Sequence, residues 1–307
     1  MQRRQFSFDL FAAVAAASTA SLWAGPVHSA APAAEPGPRQ AAWLAAMQQL
    51  ESSLEGRGAR LGVAMLDTGS GLSLGWRQDE RFPMASTFKL LLAAWMLERV
   101  DRGQEALDRR VHFEPSALVA YSPVTEKHVG AVGITVGELC DATVTLSDNT
   151  AANLLLARHG GPQGYTAFVR GLGDAVTRLD RTEPTLNEAT PGDPRDTTTP
   201  LAMLQSLRKV ALGDALQPAS RAQLVEWIVG TKTGDKRLRA GVPGWRVGDK
   251  TGTGNQGSSN DIGVLWPPGG DAPIVVTCYM TQTTTAPEKR DATIAEVARQ
   301  VARAVAA

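Results

Sequence analysis

Residues 86–89 are Ser86-Thr87-Phe88-Lys89, and the apolar run Leu90-Leu91-Leu92-Ala93-Ala94-Trp95-Met96-Leu97 follows them directly. Pro83 suits the approach to a helix and the run contains good helix formers, so a buried helix is predicted from residue 86 to about residue 102. Such a helix begins with the serine and places Ser86 and Lys89 on one face, one turn apart. Backbone N–H groups and the positive dipole end at its start favour an oxyanion formed when the hydroxyl attacks a carbonyl. The lysine amine can then serve as a base or as electrostatic support.

The same letters also have a plain structural interpretation, in which Ser86 caps a helix and Lys89 is an ordinary lysine. Ser206 and Lys209 repeat the spacing inside a mixed polar and apolar helix pattern, away from the start of a buried helix. The motif alone therefore does not decide the function.

The composition is that of an ordinary globular protein. Of the 307 residues, 43% are hydrophobic and 20% are charged, which is enough for a large core. The formal net charge is zero and no block of like charge stands out, which argues against a nucleic acid or an anionic membrane as partner. We expect a small-molecule partner and a monomer.

The cysteines and histidines give no sign of a metal site. Cys140 falls in a helical pattern and Cys278 in a strand pattern, so two buried free thiols are favoured, although one disulfide stays open on count. His112, His128 and His159 have no metal-ligand spacing. We expect neither a metal nor another cofactor.

The first 33 residues differ from the remainder of the chain. Arg3-Arg4 precede an alanine-rich apolar stretch from Leu10 to about Ala24, and small residues and prolines follow it. This layout predicts a signal peptide over residues 1–33, and the paired arginines indicate the twin-arginine export route. Since no later run of about 18 apolar residues could span a bilayer, we expect a periplasmic or secreted protein without a membrane anchor.

Strand patterns stand towards the two ends of the chain and helical patterns between them. Residues 60–67 and 72–77 form a predicted hairpin, and later strands are predicted at 245–251, 262–266 and 274–280. Together they predict one antiparallel five-stranded sheet flanked by helices at 40–56 and from 287 onward. Helical patterns between the strands fit residues 135–142, 149–158, 162–171, 200–212 and 219–229.

The predicted fold class is therefore α/β (α+β), with two interleaved domains. Residues 34–80 and 215–307 are expected to build a discontinuous α/β domain, and residues 81–214 an inserted all-helical domain. Clefts between domains are where ligand sites concentrate, so we expect the active site at this interface.

Three further motifs can reach the same interface. Ser147-Asp148-Asn149 precedes a predicted helix, where its side chains could also be simple caps. Lys250-Thr251-Gly252 ends the first late strand, whereas Lys232-Thr233-Gly234 repeats the letters in a loop and is expected to lie apart. The polar loop 178–199 is long for a compact domain, which favours a functional role. It carries Glu183, and Arg181 could close it by pairing with Asp196.

In this order the motifs resemble those of the class A serine β-lactamases, over nearly all of the chain after residue 33. The resemblance also covers Tyr121-Ser122-Pro123-Val124-Thr125 and the segments 147–153 and 193–198. It implies hydrolysis of the β-lactam ring of penicillins and cephalosporins through an acyl-enzyme, and thus β-lactam resistance, with a β-lactam and water as the only partners.

Carried over residue by residue, the resemblance implies Ser86 as nucleophile, Ser147 as proton donor to the leaving nitrogen and Glu183 as activator of the hydrolytic water. Lys89 and Glu183 both stay open as the base for acylation. The backbone N–H groups of Ser86 and Thr253 would form the oxyanion hole. The implied substrate-binding residues are Tyr121, Asn149, Asn187, Lys250, Thr251, Gly252, Thr253 and Arg237.

The chain departs from many relatives at one binding position. Ser259 stands on the strand after Lys250-Thr251-Gly252, where those relatives carry an arginine, so the carboxylate contact is assigned to Arg237, with Arg239 and Arg246 as competitors. A cell-wall transpeptidase or carboxypeptidase and a non-hydrolytic β-lactam sensor are the alternatives. The first normally lacks a carboxylate such as Glu183, and the second is normally tied to a membrane segment.

Overall fold

The fold is built on one antiparallel sheet, seen here in a computed structural model that describes residues 37–130, 132–269 and 272–306. Its five strands are β1 (Arg60–Asp67), β2 (Ser73–Trp76), β3 (Arg246–Thr253), β4 (Ser259–Trp266) and β5 (Ile274–Thr281). Their order across the sheet is β2-β1-β5-β4-β3, so the two ends of the chain meet at the β1–β5 pair. The predicted five-stranded sheet is confirmed.

Nine α-helices surround this sheet in the described part of the chain. Those predicted from periodicity are present with bounds that differ by a few residues, because helix ends are set by caps rather than by the apolar pattern. The helices are α1 (Pro38–Ser52), α2 (Phe88–Asp101), α3 (Val136–Thr145), α4 (Asn149–Ala157), α5 (Gly161–Gly171), α6 (Pro200–Ala211), α7 (Pro218–Val229), α8 (Leu238–Gly241) and α9 (Pro287–Ala306).

The sheet has an apolar core on each of its faces, since alternate residues of a strand point to opposite sides. Helices α1 and α9 cover one face, where Trp43, Met47 and Val301 pack with Val63 and Cys278. Helices α6 and α7 pack on the other face, and that larger core extends away from the sheet through α2 to α5. The two terminal helices therefore share one face of the sheet.

Helix α2 lies inside the larger core. A 3₁₀ turn, Ala85–Thr87, leads into it, and all ten residues from Phe88 to Leu97 are buried. A helix that is apolar all round is stable only when it is covered all round, which explains its central position. Ser86 thus lies at the mouth of a buried helix, as the sequence predicts.

A glycine brings β3 close to this turn. A Cβ added at Gly252 would lie 2.8 Å from the carbonyl oxygen of Met84 and 3.2 Å from Thr87 Cγ2. A 2.8 Å approach is too short for a carbon, so only glycine lets the strand end lie this near the serine. Asn260 on the neighbouring strand fixes the same turn by donating to the carbonyls of Pro83 and Met84.

Several features fall outside the sequence expectations. Two short strand pairs, Phe82–Pro83 with Thr197–Thr198 and Arg110–Val111 with Ile134–Thr135, were not predicted, because two-residue strands have no periodicity to read. The predicted signal peptide lies outside the described residues. The division into a domain of residues 34–80 and 215–307 and a domain of residues 81–214 stays a prediction.

Cys140 and Cys278 are buried free thiols, as favoured by the sequence, and burial raises the pKa of each. In the part of the chain that the structure describes, no helix has both the length and the apolar composition needed to cross a membrane. The same residues contain no cluster of three or more histidine, cysteine or acidic side chains suited to a metal ion.

Candidate active site

A cavity of about 390 Å³ opens where β3, the start of α2 and the polar loop meet, a size typical of small-ligand sites. Eight of the twelve sequence-predicted site residues line it, and Lys89, Glu183, Lys250 and Gly252 lie buried among or beside them. The lining residues are Ser86, Tyr121, Ser147, Asn149, Asn187, Thr233, Arg237, Thr251 and Thr253.

Ser86 faces a buried carboxylate and a buried amine. Its Oγ donates a hydrogen bond to Glu183 Oε1 at 3.3 Å, and Lys89 Nζ lies 2.9 Å from the same oxygen. The side chains of Lys89 and Glu183 are both fully buried. Because a buried charge is costly unless it is paired, the ion pair and the serine hydroxyl hold one another in place.

Lys89 has further fixed partners around its amine. Nζ donates to Asn149 Oδ1 at 2.5 Å and to the carbonyl oxygen of Ser147 at 2.8 Å. Burial lowers the pKa of Lys89 below its usual value, while the nearby Glu183 carboxylate opposes that shift. A lysine with a lowered pKa gives up its proton more readily and can exchange it with neighbouring oxygens.

Lys250 approaches Ser147 from the other side. Its Nζ donates to Ser147 Oγ at 3.0 Å, and Lys89 Nζ donates to the same hydroxyl at 3.4 Å. Burial, together with the like charge of Lys89, lowers the pKa of Lys250 to about 7. Two amines therefore share the Ser147 hydroxyl.

The polar loop is clamped at its base. Arg181 Nε lies 2.6 Å from Asp196 Oδ2, as proposed from the sequence, and the two side chains are only 16% and 1% exposed. Asp196 Oδ1 also accepts from the backbone N–H groups of Asp180 and Arg181. Arg181 pairs in addition with Glu188. The clamp is thus buried and fully hydrogen-bonded on the aspartate side.

Glu183 itself is held at both its backbone and its side chain. The amide of Asn153 accepts from Glu183 N at 2.9 Å and donates to Glu183 O at 2.9 Å, while Asn187 Nδ2 donates to Glu183 Oε2 at 2.5 Å. The Glu183–Pro184 peptide bond is cis. Asn153 was not predicted as a site residue, although it lies in a segment that carries the family resemblance.

Arg237 lies at the far end of the cavity. Nε pairs with Asp291 at 2.8 Å, Nη1 donates to the carbonyls of Gly252 and Asn260, and Nη2 donates to Thr253 Oγ1 at 2.9 Å. A guanidinium has five N–H groups, so among the described residues one Nη2 hydrogen has no assigned acceptor. The other two candidates for the carboxylate contact have partners elsewhere: Arg239 pairs with Asp249, and Arg246 stacks on the Trp266 ring.

Three residues beside the cavity have positive φ values that non-glycine residues rarely adopt. They are Ala85 at 43°, Tyr121 at 64° and Ser147 at 60°. Backbone strain of this kind collects at functional sites, where the surrounding structure holds it in place. Tyr121 leaves 60% of its surface exposed at the mouth of the cavity.

Asn149 is anchored in the wall of the cavity. Its Oδ1 accepts from Lys89 and its Nδ2 donates to the carbonyl of Ala120 at 2.8 Å. An amide nitrogen carries two hydrogens, so one Nδ2 hydrogen of this cavity-lining residue has no acceptor among the described residues.

A pair of buried carboxyl groups lies behind β3. Asp249 pairs with Arg239 at 2.5 Å, and Asp261 accepts from the backbone N–H of Leu238 at 3.0 Å. Burial raises the pKa of both groups, that of Asp249 to about 6 and that of Asp261 further. This limits the negative charge beside Lys250, in keeping with the lowered pKa of its amine.

Thr233 lines the cavity, although the sequence did not predict it as a site residue. Its Oγ1 lies 2.6 Å from Thr251 Oγ1. The expectation that Lys232-Thr233-Gly234 lies apart from the site is wrong, because this loop packs alongside β3. An added Cβ at Gly234 would lie 1.7 Å from Asp249 Oδ2, so the glycine permits that close packing.

A hydroxyl at a helix start, two buried amines and a carboxylate around one cavity are the groups of a serine hydrolase that works through an acyl-enzyme. A model of the β-lactamase enzyme family matches residues 45–305. β-Lactamase L2 of Stenotrophomonas maltophilia is 47% identical over 302 residues, 97% of each chain. β-Lactamase Toho-1 of Escherichia coli is 49% identical over 83% of this chain and 87% of that protein.

Solved structures show the same relationship. An ancestral (GNCA) class A β-lactamase superposes with a TM-score of 0.83 at 63% identity, covering 85% of this chain and 99% of that one. The chain belongs to the class A β-lactamase family, and it is an enzyme that hydrolyses β-lactams.

Proposed function

We propose that Ser86 opens the β-lactam ring. Its Oγ bonds to the lactam carbonyl carbon, the carbon–nitrogen bond breaks, and the hydroxyl proton passes by way of the Lys89 and Glu183 pair to the leaving nitrogen. The backbone N–H groups of Ser86 and Thr253 stabilise the oxyanion. The short distances from Glu183 Oε1 to Ser86 Oγ and Lys89 Nζ support this assignment.

Ser147 delivers the proton to the nitrogen. Its Oγ accepts from Lys250 and from Lys89, so its own hydrogen is left to point into the cavity. Each proton that Ser147 gives away can be replaced from an adjacent ammonium group.

Glu183 activates the water that hydrolyses the ester, with Asn187 as the second holder of that water. The observation that carries this proposal is the carboxylate beside Ser86, fixed by Asn187 and by the backbone contacts of Asn153. A transpeptidase, or a sensor that only becomes acylated, has no use for such a base beside its ester.

The remaining assignments concern the substrate. Asn149 binds the side-chain amide of the β-lactam, and Tyr121 lines the mouth of the cavity. The substrate carboxylate lies against Lys250, Thr251, Gly252, Thr253 and Arg237. Charge-assisted hydrogen bonds to a carboxylate are the strong ones, which favours this cationic end of the cavity.

Turnover of a chromogenic cephalosporin by the purified protein tests the function. We expect many molecules hydrolysed per molecule of enzyme. A single stoichiometric burst followed by a stable adduct would instead support the transpeptidase or sensor alternative.

The pKa of Lys250 near 7 predicts how substrate capture depends on pH. Below that pH the amine is charged and attracts the substrate carboxylate, and above it the charge is lost in the free enzyme. Since kcat/KM reports the free enzyme, kcat/KM for a carboxylate-bearing penicillin should fall as the pH rises through about 7. A pH profile measures this. Lys250→Arg keeps its charge and should remove the fall, and an identical fall in that variant would assign it to another group.

Loss of the Arg237 guanidinium should weaken capture of the substrate carboxylate. We expect Arg237→Ala to lower kcat/KM by about 1.5–3 kcal/mol, or about 10- to 150-fold. Ser259 pairs with Thr253 across β3 and β4, so Ser259→Arg in the Arg237→Ala background should restore part of the loss. Steady-state kinetics decide this. No loss at Arg237, or no rescue combined with a loss in Arg239→Ala, would move the contact elsewhere.

Export to the periplasm or the medium, and a monomeric state, are further proposals. The basic and apolar layout of residues 1–33 supports export. Mass spectrometry of protein recovered outside the cytoplasm should find a chain shortened near residue 33. Full-length protein in the cytoplasm alone would contradict export, and a dimer by light scattering would contradict the monomer.

A further inference from the structure

The loop 231–234 is fixed along the back of β3. Thr231 Oγ1 donates to the carbonyl of Asp249 at 2.6 Å, and Lys232 N donates to the carbonyl of Thr145 at 2.9 Å. The Thr233 side chain, half-buried between these anchors, reaches the cavity beside Thr251. Its position is therefore set by the backbone on both sides.

The hydroxyls of Thr233 and Thr251 share one hydrogen bond of 2.6 Å, in which either oxygen can be the donor when no substrate is bound. Each hydroxyl has a single hydrogen. An ionised carboxylate can only accept hydrogen bonds, so Thr251 must donate its single hydroxyl hydrogen to the substrate. The bond between the two threonines then survives only if Thr233 is the donor.

We propose that Thr233 is a positioning residue, which donates to Thr251 Oγ1 and so directs the one Thr251 hydrogen at the carboxylate of the β-lactam. This rests on the proposed role of Thr251. The neighbouring Thr253 is arranged alike, since its Oγ1 accepts from Arg237 Nη2 at 2.9 Å. Thr251 and Thr253 are two positions apart on β3 and so lie on one face. In the proposed arrangement both hydroxyls accept a hydrogen bond from a protein donor, which leaves the single hydrogen of each for the substrate carboxylate.

The arrangement selects for an anion at this end of the substrate. A hydroxyl that has already accepted one hydrogen bond is held in the orientation that donates to the ligand, and a fixed donor loses less rotational freedom on binding. A substrate whose carboxylate is masked as an ester gives a weaker acceptor and gains less from this orientation. Thr233 should therefore matter for acid substrates and little for their esters.

Thr233→Val tests the proposal, because valine keeps the branched shape and removes the hydroxyl, and Thr233→Ser retains it. For a cephalosporin with a free carboxylate, we expect Thr233→Val to raise KM by about 3- to 10-fold, the worth of one hydrogen bond, with kcat within about twofold. Thr233→Ser should stay within about twofold of wild type. For the methyl ester of the same cephalosporin, Thr233→Val should change kcat/KM by less than about twofold.

A double-mutant cycle separates positioning from general damage. In a Thr251→Val background, Thr233→Val should add less than about twofold to KM, since there is no hydroxyl left to direct. Equal losses on the acid and the ester, a full additional loss in the Thr251→Val background, or no recovery in Thr233→Ser would overturn the proposal. An unchanged KM in Thr251→Val overturns the assigned role of Thr251 as well. Absence of turnover in the wild-type enzyme would overturn the proposed function and this inference together.

Discussion

Glu183→Ala enzyme is expected to become trapped as an ester on Ser86 after a single acylation by a penicillin, before product is released. Glu183 Oε1 lies 3.3 Å from Ser86 Oγ, where the ester forms, and removal of this carboxylate leaves the hydrolytic water without a general base. General bases contribute about 10²- to 10⁴-fold, so hydrolysis of the ester should slow by about that factor. Lys89 retains contacts with Asn149 and with the Ser147 carbonyl, which can support acylation.

Intact-mass spectrometry after mixing with a penicillin measures the trap directly, as enzyme plus the whole substrate mass. Glu183→Gln should also trap the ester, which excludes a simple packing defect, because glutamine fills the same space without acting as a base. Asp193→Asn is the matched control, since Asp193 lies in the same loop and pairs with Arg195 rather than with Arg181. Turnover near the wild-type rate in Glu183→Ala would mean that Glu183 is misassigned.

Arg181→Ser is expected to lower penicillin hydrolysis by about 100-fold. Arg181 and Asp196 close the loop that carries Glu183, and a displacement of a catalytic group by about 1 Å costs about that factor. A loosened loop also leaves more room, so bulky cephalosporins should gain relative to penicillins. Steady-state kinetics on the two substrate classes measure both effects.

The clamp also has a cost in stability that can be checked separately. Removal of Arg181 leaves Asp196 as a buried charge without its partner, a loss of about 3–5 kcal/mol in the free energy of unfolding. Arg181→Ser combined with Asp196→Asn should recover part of that stability without restoring the rate. Arg195→Ser is the control, because Arg195 pairs with Asp193 in the same loop at the surface. Unchanged rates in Arg181→Ser, or equal losses in Arg195→Ser, would contradict the clamp.

Much of this fold was predictable because its elements have strong periodicity. The strand Arg60–Asp67 has the predicted bounds, and the buried helix after Ser86 was visible as one apolar run. Glu183 and the ion pair between Arg181 and Asp196 could be proposed because a long polar loop is uncommon in a compact protein unless it has a function.

The residues missed are those whose role depends on tertiary packing. Thr233 lies in a Lys-Thr-Gly segment like that of Thr251, but nothing in the local sequence shows that its loop lies against β3. The loop is held there by hydrogen bonds to the distant residues Asp249 and Thr145. Asn153 lies inside a helix, where an asparagine usually has no special meaning, and its two bonds reach a residue 30 positions away. Contacts of this kind depend on how distant segments pack in the folded protein.

Hydrolysis of β-lactams should proceed through an ester on Ser86. The most direct test is to follow turnover of a chromogenic cephalosporin and to map the transient adduct in wild type, Ser86→Ala and Ser206→Ala. Ser206 has the same spacing to a lysine but is buried and donates to Asp174, so it serves as the matched control. Wild type and Ser206→Ala should show sustained turnover and an adduct on the peptide with Ser86, and Ser86→Ala should show neither. Sustained turnover by Ser86→Ala, or an adduct on another residue, would contradict hydrolysis through Ser86.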